Sequence, residues 1–293
     1  MTLAARSIPN AEPPQAGGLD GEGIDPARRP TFLGVGAQRA GTTWLHSCLS
    51  EHPEVFLPEE KELDYFGRRD GRGPAWYADR FEAGRGYAAR GEITPTYMVD
   101  ERAIEQMRAS APEAKLFAVL REPVSRAYSA YQLAREKRYR DRRFSEACTP
   151  ASDLVRYGLY AEQLEAVWRH FPRERVKVFL YDDLSADPGG VLRELFAFLG
   201  VDDRFVPTSL TRRYNRIMFP AAQRRLRAVG LGWAIDGVKR TPLGDWVRAA
   251  HRRAGRNAAG ALSRSDRQRV AGYFRDDIDR LEAMLGRDLS AWR

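Results

Sequence analysis

The stretch FLGVGAQRAGTTWLHSCLS, residues 32–50, constrains the fold more than any other part of this chain. The apolar run Phe32–Val35 reads as a buried strand, after which Gly36 and Gly41 bracket a four-residue loop and apolar residues resume at helical spacing. Backbone N–H groups from Arg39 to Thr43, at the start of that helix, can surround a phosphate whose charge the helix dipole also favours. The P-loop pattern requires Gly, four residues, Gly, Lys, then Ser or Thr; Thr43 fills the last place, but Thr42 stands where the lysine belongs. In nucleotide triphosphatases that lysine reaches the β- and γ-phosphates, so a loop without it suits a donor with one phosphate at that end. The alternative is a glycine-rich turn that binds nothing.

Further apolar runs predict strands at Lys115–Leu120 and Arg175–Tyr181, with weaker signals at Val55–Leu57 and Arg90–Ile93. Helical patterns fall between them at Thr43–Ser50, Glu101–Ser110, Val124–Lys137, Ala161–Phe171 and Gly190–Leu199. Strands alternating with helices imply an α/β fold, a P-loop-like three-layer sandwich with a central, mostly parallel sheet flanked by helices. Ligands of such sheets sit at the carboxyl ends of strands, where the loop from Gly36 to Gly41 falls. A last amphipathic pattern, Arg264–Leu285, predicts one helix packed back on the core.

The 293 residues suffice for one large domain, expected over 30–293 after a disordered leader at 1–29 rich in Pro, Gly and Ala. Residues 207–259, arginine-rich and broken by Pro220, Gly230, Gly232 and Gly237, predict helices and loops that cap the site. No apolar core follows Met1 and no stretch reaches the roughly 18–20 apolar residues of a membrane span, so a cytoplasmic protein is expected. Cys48 and Cys148 lack partners at metal spacing and read as buried thiols, and no metal is expected. The net charge of +8 is carried almost wholly by arginine, a bias that a GC-rich bacterial genome would give. Basic chains attract polyanions, but no helix-turn-helix, RNA-binding or zinc-finger pattern accompanies the charge, so nucleic acid is not the expected partner.

A second motif lies at 119-VLREPVSRAYSAY-131. Arg121 ends a predicted strand and Pro123 blocks immediate helix continuation, which leaves the guanidinium at the same sheet edge as the glycine loop. A forked arginine with the nearby hydroxyl of Ser129 fits a phosphate monoester; the alternatives are an Arg121–Glu122 salt bridge and an ordinary helix serine.

These two motifs resemble those of the sulfotransferases that use 3′-phosphoadenosine 5′-phosphosulfate (PAPS), and within them the heparan-sulfate sulfotransferases of the Golgi and their bacterial relatives. GAQRAGTTWL resembles the 5′-phosphosulfate loop, and LREPVSRAYS the 3′-phosphate motif. KELDYF at 61–66, ITPTY at 93–97, YGLYAEQL at 157–164 and YFRDDIDRLEAMLGRDLSAW at 273–292 extend the likeness from about residue 30 to the C-terminus. The resemblance implies sulfuryl transfer from PAPS to a hydroxyl, less readily an amine, of a small-molecule or carbohydrate-containing acceptor. It implies donor contacts from Gln38, Arg39, Ala40, Gly41, Thr42, Thr43 and Trp44 at the 5′ end, and from Arg121 and Ser129 at the 3′ end.

Glu62 of KELDYF matches the glutamate that the heparan enzymes use as base, and burial beside Tyr65 and Phe66 would raise its pKa toward that task. Otherwise it is a surface carboxylate in a charged run. His46 is a weaker candidate for the same role. The chain departs from the family in three places: Arg39 stands where lysine is usual, Asp64 where many relatives have histidine, and Ile93 where the heparan enzymes carry a lysine before Thr-Pro. Arginine is never deprotonated, so Arg39 can stabilise the bridging oxygen but not protonate it. Lys61 is the candidate for the missing cation. Tyr160 is either an adenine-stacking ring or a core tyrosine. Arg213 and Arg216 fall where the family closes over the 3′-phosphate. The competing readings are a P-loop nucleotide kinase and a non-catalytic adenosine-nucleotide-binding protein.

Overall fold

The computed structural model describes residues 25–68, 71–211 and 262–293. Five strands, β1 Phe32–Gly36, β2 Val55–Phe56, β3 Ala89–Ile93, β4 Lys115–Leu120 and β5 Val176–Leu180, form one sheet in the order β2-β3-β1-β4-β5. Every neighbouring pair is parallel. Successive strand residues point to opposite faces, yet Leu116, Phe117, Ala118, Val119 and Leu120 are all fully buried, so both faces of the sheet are covered. This is the expected three-layer α/β arrangement, and it explains why the strands read as unbroken apolar runs.

The helices that matter for the site are α1 Thr42–Ser50, α2 Pro74–Asp79, α3 Glu101–Ser110, α4 Pro123–Arg138, α5 Phe144–Ala147, α6 Asp153–Arg156 and α7 Tyr160–His170. They are followed by α8 Tyr181–Ala186, α9 Pro188–Leu199, α10 Arg264–Ala271 and α11 Arg275–Leu285. The single helix expected over Arg264–Leu285 is therefore two. The chain turns at Gly272–Phe274, where the fully buried Phe274 ring is set against Gly158, leaving no room for a side chain there. Helix α4 begins where Pro123 allows, with the Glu122 carboxylate accepting from the N–H groups of Val124 (2.9 Å) and Ser125 (2.8 Å).

Ordered chain reaches into the expected leader: Pro26–Arg28 form a turn, and Arg90 donates from Nε to the Arg29 carbonyl and from its terminal nitrogen to that of Pro26, both at 2.8 Å. Of the expected cap at 207–259, only 207–211 lie within the described residues. There Glu51, the C-cap residue of α1, accepts from the amides of Thr208 and Ser209 and from both hydroxyls, tying this segment to the end of the helix that follows the glycine loop. Among the described residues no helix is long and apolar enough to cross a membrane.

Candidate active site

Central placement of β1 puts the glycine loop at the carboxyl edge of the sheet, between the ends of β3 and β4. Gly36 is required because a Cβ there would run into the Met98 side chain, and Gly41 because it caps α1 in the left-handed region at φ 96°. Arg39 shares that region at φ 73° without being glycine. Ala40 donates back to Ala37 (3.2 Å) and Trp44 to Gly41 (3.0 Å), while the amides of Gly41, Thr42 and Thr43 at the helix start have no backbone partner among the described residues. Ala40 and Thr42 are buried, and Gln38, Arg39, Gly41 and Thr43 half-buried, so the loop presents backbone and one guanidinium.

The Trp44 indole donates to the Ser209 carbonyl (3.1 Å) and its amide to the Gly41 carbonyl, so this side chain anchors residues 207–211.

The two motifs meet through three side chains. Arg39 Nε donates to Ser129 Oγ at 3.1 Å, and an Arg121 terminal nitrogen donates to the Arg39 carbonyl at 3.1 Å. Arg121 also lies 4.7 Å from the centre of the Tyr181 ring. It forms no ion pair among the described residues, because the Glu122 carboxylate caps α4 and pairs with Arg267 (3.1 Å). The Arg121–Glu122 alternative is thereby removed. Burial, and then the like charge of Arg121, lower the pKa of Arg39. The charge of Arg121 reaches Arg39, and such a concentration of positive charge favours an anion.

Tyr160 is the core tyrosine of its two readings. It is fully buried and its hydroxyl donates to the Arg121 carbonyl at 2.9 Å, so no ring face is open to an adenine. Its contribution is to hold the backbone of Arg121. Arg213 and Arg216 lie outside the described residues.

On the other side of β1, the loop from Lys61 to Phe66 carries the candidate base. Here the burial expected for Glu62 does not occur: Tyr65 and Phe66 are buried, but Glu62 turns away, with its side chain 44 % exposed and ion-paired to Lys61. Burial alternates along the loop, with Leu63 and Tyr65 inside and Glu62 and Asp64 toward the outside, and both outer residues occupy the left-handed region (φ 60° and 50°). Electrostatically the pair is close to the glycine loop, for the charge of Glu62 acts on Arg39, and both Lys61 and Glu62 act on His46. Burial, then Lys61, push the His46 imidazole down to about 4. Asp64 pairs with Arg68 at 2.6 Å, and Ile93 is buried at the end of β3, so neither replaces the cation that the family carries nearby.

Sequence reasoning missed what holds this loop. Glu92, next to last in β3, is 2 % exposed and accepts from the hydroxyls of Tyr97 (2.6 Å), Thr94 (2.7 Å) and Tyr77 (3.2 Å) and from the Leu63 amide (3.3 Å). Burial raises its pKa while these donors oppose the rise. Burial, then the Glu92 charge, lift Tyr77 and Tyr97 well above the ordinary tyrosine value, so both remain donors. The available signal was a carboxylate between Gly91 and Ile93 inside a predicted strand.

A parallel α/β sheet with a glycine loop after its central strand, and an arginine from the end of the next strand bonded to that loop, is the architecture of a phosphate-binding α/β protein. The chain matches the sulfotransferase domain family over residues 29–223, and it belongs to that family. It is 32 % identical over 208 residues to the mouse heparan sulfate glucosamine 3-O-sulfotransferase 3A1, covering 68 % of this chain and 52 % of that protein. It is 33 % identical over 186 residues to human heparan sulfate glucosamine 3-O-sulfotransferase 6, covering 60 % and 54 %. The chain thus spans about half the length of the curated relatives it matches. The crystal structure of a sulfotransferase from Alicyclobacillus acidocaldarius superposes with a TM-score of 0.67 at 28 % identity, covering 90 % of this chain and 99 % of that one.

Proposed function

We propose that this sulfotransferase takes its sulfuryl group from PAPS and delivers it by in-line displacement to a hydroxyl, less readily an amine, of a small-molecule or carbohydrate-containing acceptor. The observation that carries the reading is the meeting of Arg39, Arg121 and Ser129, which are 82 and 90 residues apart in sequence and belong to two separate phosphate motifs. On this reading Ser129 and Arg121 take the 3′-phosphate, and the amides from Gly41 to Thr43 take the 5′-phosphate. Arg39 leaves Ser129 to stabilise charge on the bridging oxygen as the sulfur–oxygen bond breaks. The acceptor oxygen forms the new bond to sulfur, its proton passes to the Glu62 carboxylate, and adenosine 3′,5′-bisphosphate departs. Lys61, paired to Glu62, is the cation that would meet the sulfuryl oxygens on this reading.

A groove of about 690 Å³, lined by Phe56, Leu57, Pro58, Glu59, Glu60 and Arg80 among others, adjoins the Lys61 loop in sequence. Its apolar floor and its Glu59 and Glu60 carboxylates favour an acceptor with apolar surface over a densely anionic one. Domain extent over 30–293 and a cytoplasmic setting complete the reading; two buried free thiols, both pushed up to about 12, suit a reducing compartment.

Titration calorimetry with adenosine 3′,5′-bisphosphate against ATP–magnesium tests the donor. Tighter binding of the bisphosphate is expected, and tighter ATP binding would restore the kinase alternative that Thr42 argues against. A bisphosphate-binding protein that consumes no PAPS would be the non-catalytic one.

A further inference from the structure

The loop that carries Glu62 is held in a costly conformation by a buried network centred on one carboxyl group, Glu92. Two of its residues, Glu62 and Asp64, neither of them glycine, sit at positive φ, a conformation that L-residues disfavour. Three successive amides of the same loop end on one wall. Leu63 N–H reaches Glu92 at 3.3 Å, Asp64 N–H reaches Thr94 Oγ1 at 3.3 Å, and Tyr65 N–H reaches the Tyr97 hydroxyl at 2.9 Å. Arg72 closes the other side by donating to the carbonyls of Leu63 and Asp64, each at 2.9 Å.

The direction of these bonds fixes what Glu92 must be. The hydroxyls of Thr94 and Tyr97 each already accept a loop amide, so each gives its only proton to Glu92. With Tyr77 and Leu63 also donating, four donors converge on two oxygens, a set that only an ionised carboxylate satisfies in full. A protonated acid or an amide would turn one acceptor into a donor facing another donor. Burying such a charge without a cation destabilises a core, and an apolar residue would serve packing better. The register pairs Glu92 with Leu33 of β1, three residues ahead of Gly36, where the glycine loop begins.

We propose that Glu92 is a positioning residue of the transfer reaction: as an acceptor-only carboxylate it locks the 62–65 loop so that Glu62 and Lys61 face the Arg39 end of the glycine loop. The inference rests on Glu62 being the base of the proposed reaction, but its structural half stands apart from that.

Amide hydrogen exchange of the peptide covering 61–66, read by mass spectrometry, tests the structural half in E92Q, T94V and T94S. Exchange at least tenfold faster in E92Q and T94V is expected, with T94S close to wild type because the hydroxyl is restored. Unchanged exchange in both E92Q and T94V overturns the proposal. The functional half is read from PAPS consumption with water as acceptor, alongside the affinity for adenosine 3′,5′-bisphosphate. E92Q should lower kcat by about 10- to 100-fold, as a misplaced catalytic group does, with bisphosphate affinity within about twofold of wild type. In an E62Q background E92Q should cost nothing further. A full additional loss there, or a parallel loss of bisphosphate affinity, shows Glu92 to be a general structural residue. A wild type that neither binds the bisphosphate nor consumes PAPS defeats the proposed function instead, and leaves the exchange result to judge the loop.

Discussion

Arg121 touches both phosphate motifs, and its removal should therefore be felt at both ends of a nucleotide. Arg121→Ala is expected to weaken adenosine 3′,5′-bisphosphate by about 2 kcal/mol, the usual loss for a charged hydrogen bond. Because Arg121 also holds the Arg39 carbonyl, adenosine 5′-monophosphate should weaken too, by a smaller amount. Calorimetry with the two ligands checks this, and equal losses would deny Arg121 the 3′-phosphate. Glu62→Gln should lower turnover by roughly 10²- to 10⁴-fold with donor affinity intact, measured as PAPS consumption and bisphosphate binding. His46 offers a separate test through pH. Its folded pKa of about 4 lies below the ordinary 6.5, so between these values the unfolded chain binds a proton that the folded chain refuses. Stability should fall as pH drops through that window, and His46→Asn should remove this part of the slope in urea titrations run at several pH values. At this scale the sequence singled out the glycine loop and Arg121, because their types and spacing follow from phosphate chemistry, and the structure brings the two into contact. It left Tyr160 open between two readings, did not foresee the Trp44 anchor and misjudged the burial of Glu62, since which way a side chain turns depends on partners distant in sequence, 165 residues for Trp44 and 39 for Tyr160.

Helix α7 shows how distant elements cooperate in the site. Leu159 at its N-cap offers no side-chain acceptor, and the role is taken by Asp277 of α11, whose carboxylate accepts from the Ala161 amide at 3.1 Å. Asp277 is 7 % exposed, and burial raises its pKa against the pull of these amides. Asp277→Ala should cost about 1–3 kcal/mol of stability in urea unfolding, as loss of a buried cap partner does, with Asp277→Asn recovering much of it. Since α7 opens with Tyr160, which holds the Arg121 carbonyl, the alanine variant should also weaken bisphosphate binding. The five strands and the main helices were legible because buried parallel strands are continuous apolar runs and α3, α4 and α9 start at a proline or acidic cap. The break between α10 and α11 was not, because Val270, Phe274 and Ile278 keep helical spacing straight through the turn.

Across the whole molecule, donor binding should act as a brace, since it neutralises the adjacent guanidiniums of Arg39 and Arg121. At a bisphosphate concentration of about 100 times Kd, mass action adds about 2.7 kcal/mol, which should raise the melting temperature by roughly 5–10 °C for a domain of this size. Thermal unfolding with and without ligand checks this, and ATP–magnesium should give a smaller shift.

The strand order also sets a timetable for making the protein. β1 emerges from the ribosome first of the five but lies at the centre of the sheet, where both its neighbours, β3 and β4, come from sequence 57 or more residues further on. Synthesis at about 5–20 residues per second leaves the glycine loop and its apolar strand without partners for several seconds. Throughout that interval Phe32–Val35 is an exposed sticky segment. Slow codons placed between β1 and β4 should therefore increase aggregation of the nascent chain, whereas the same codons after β5 should not.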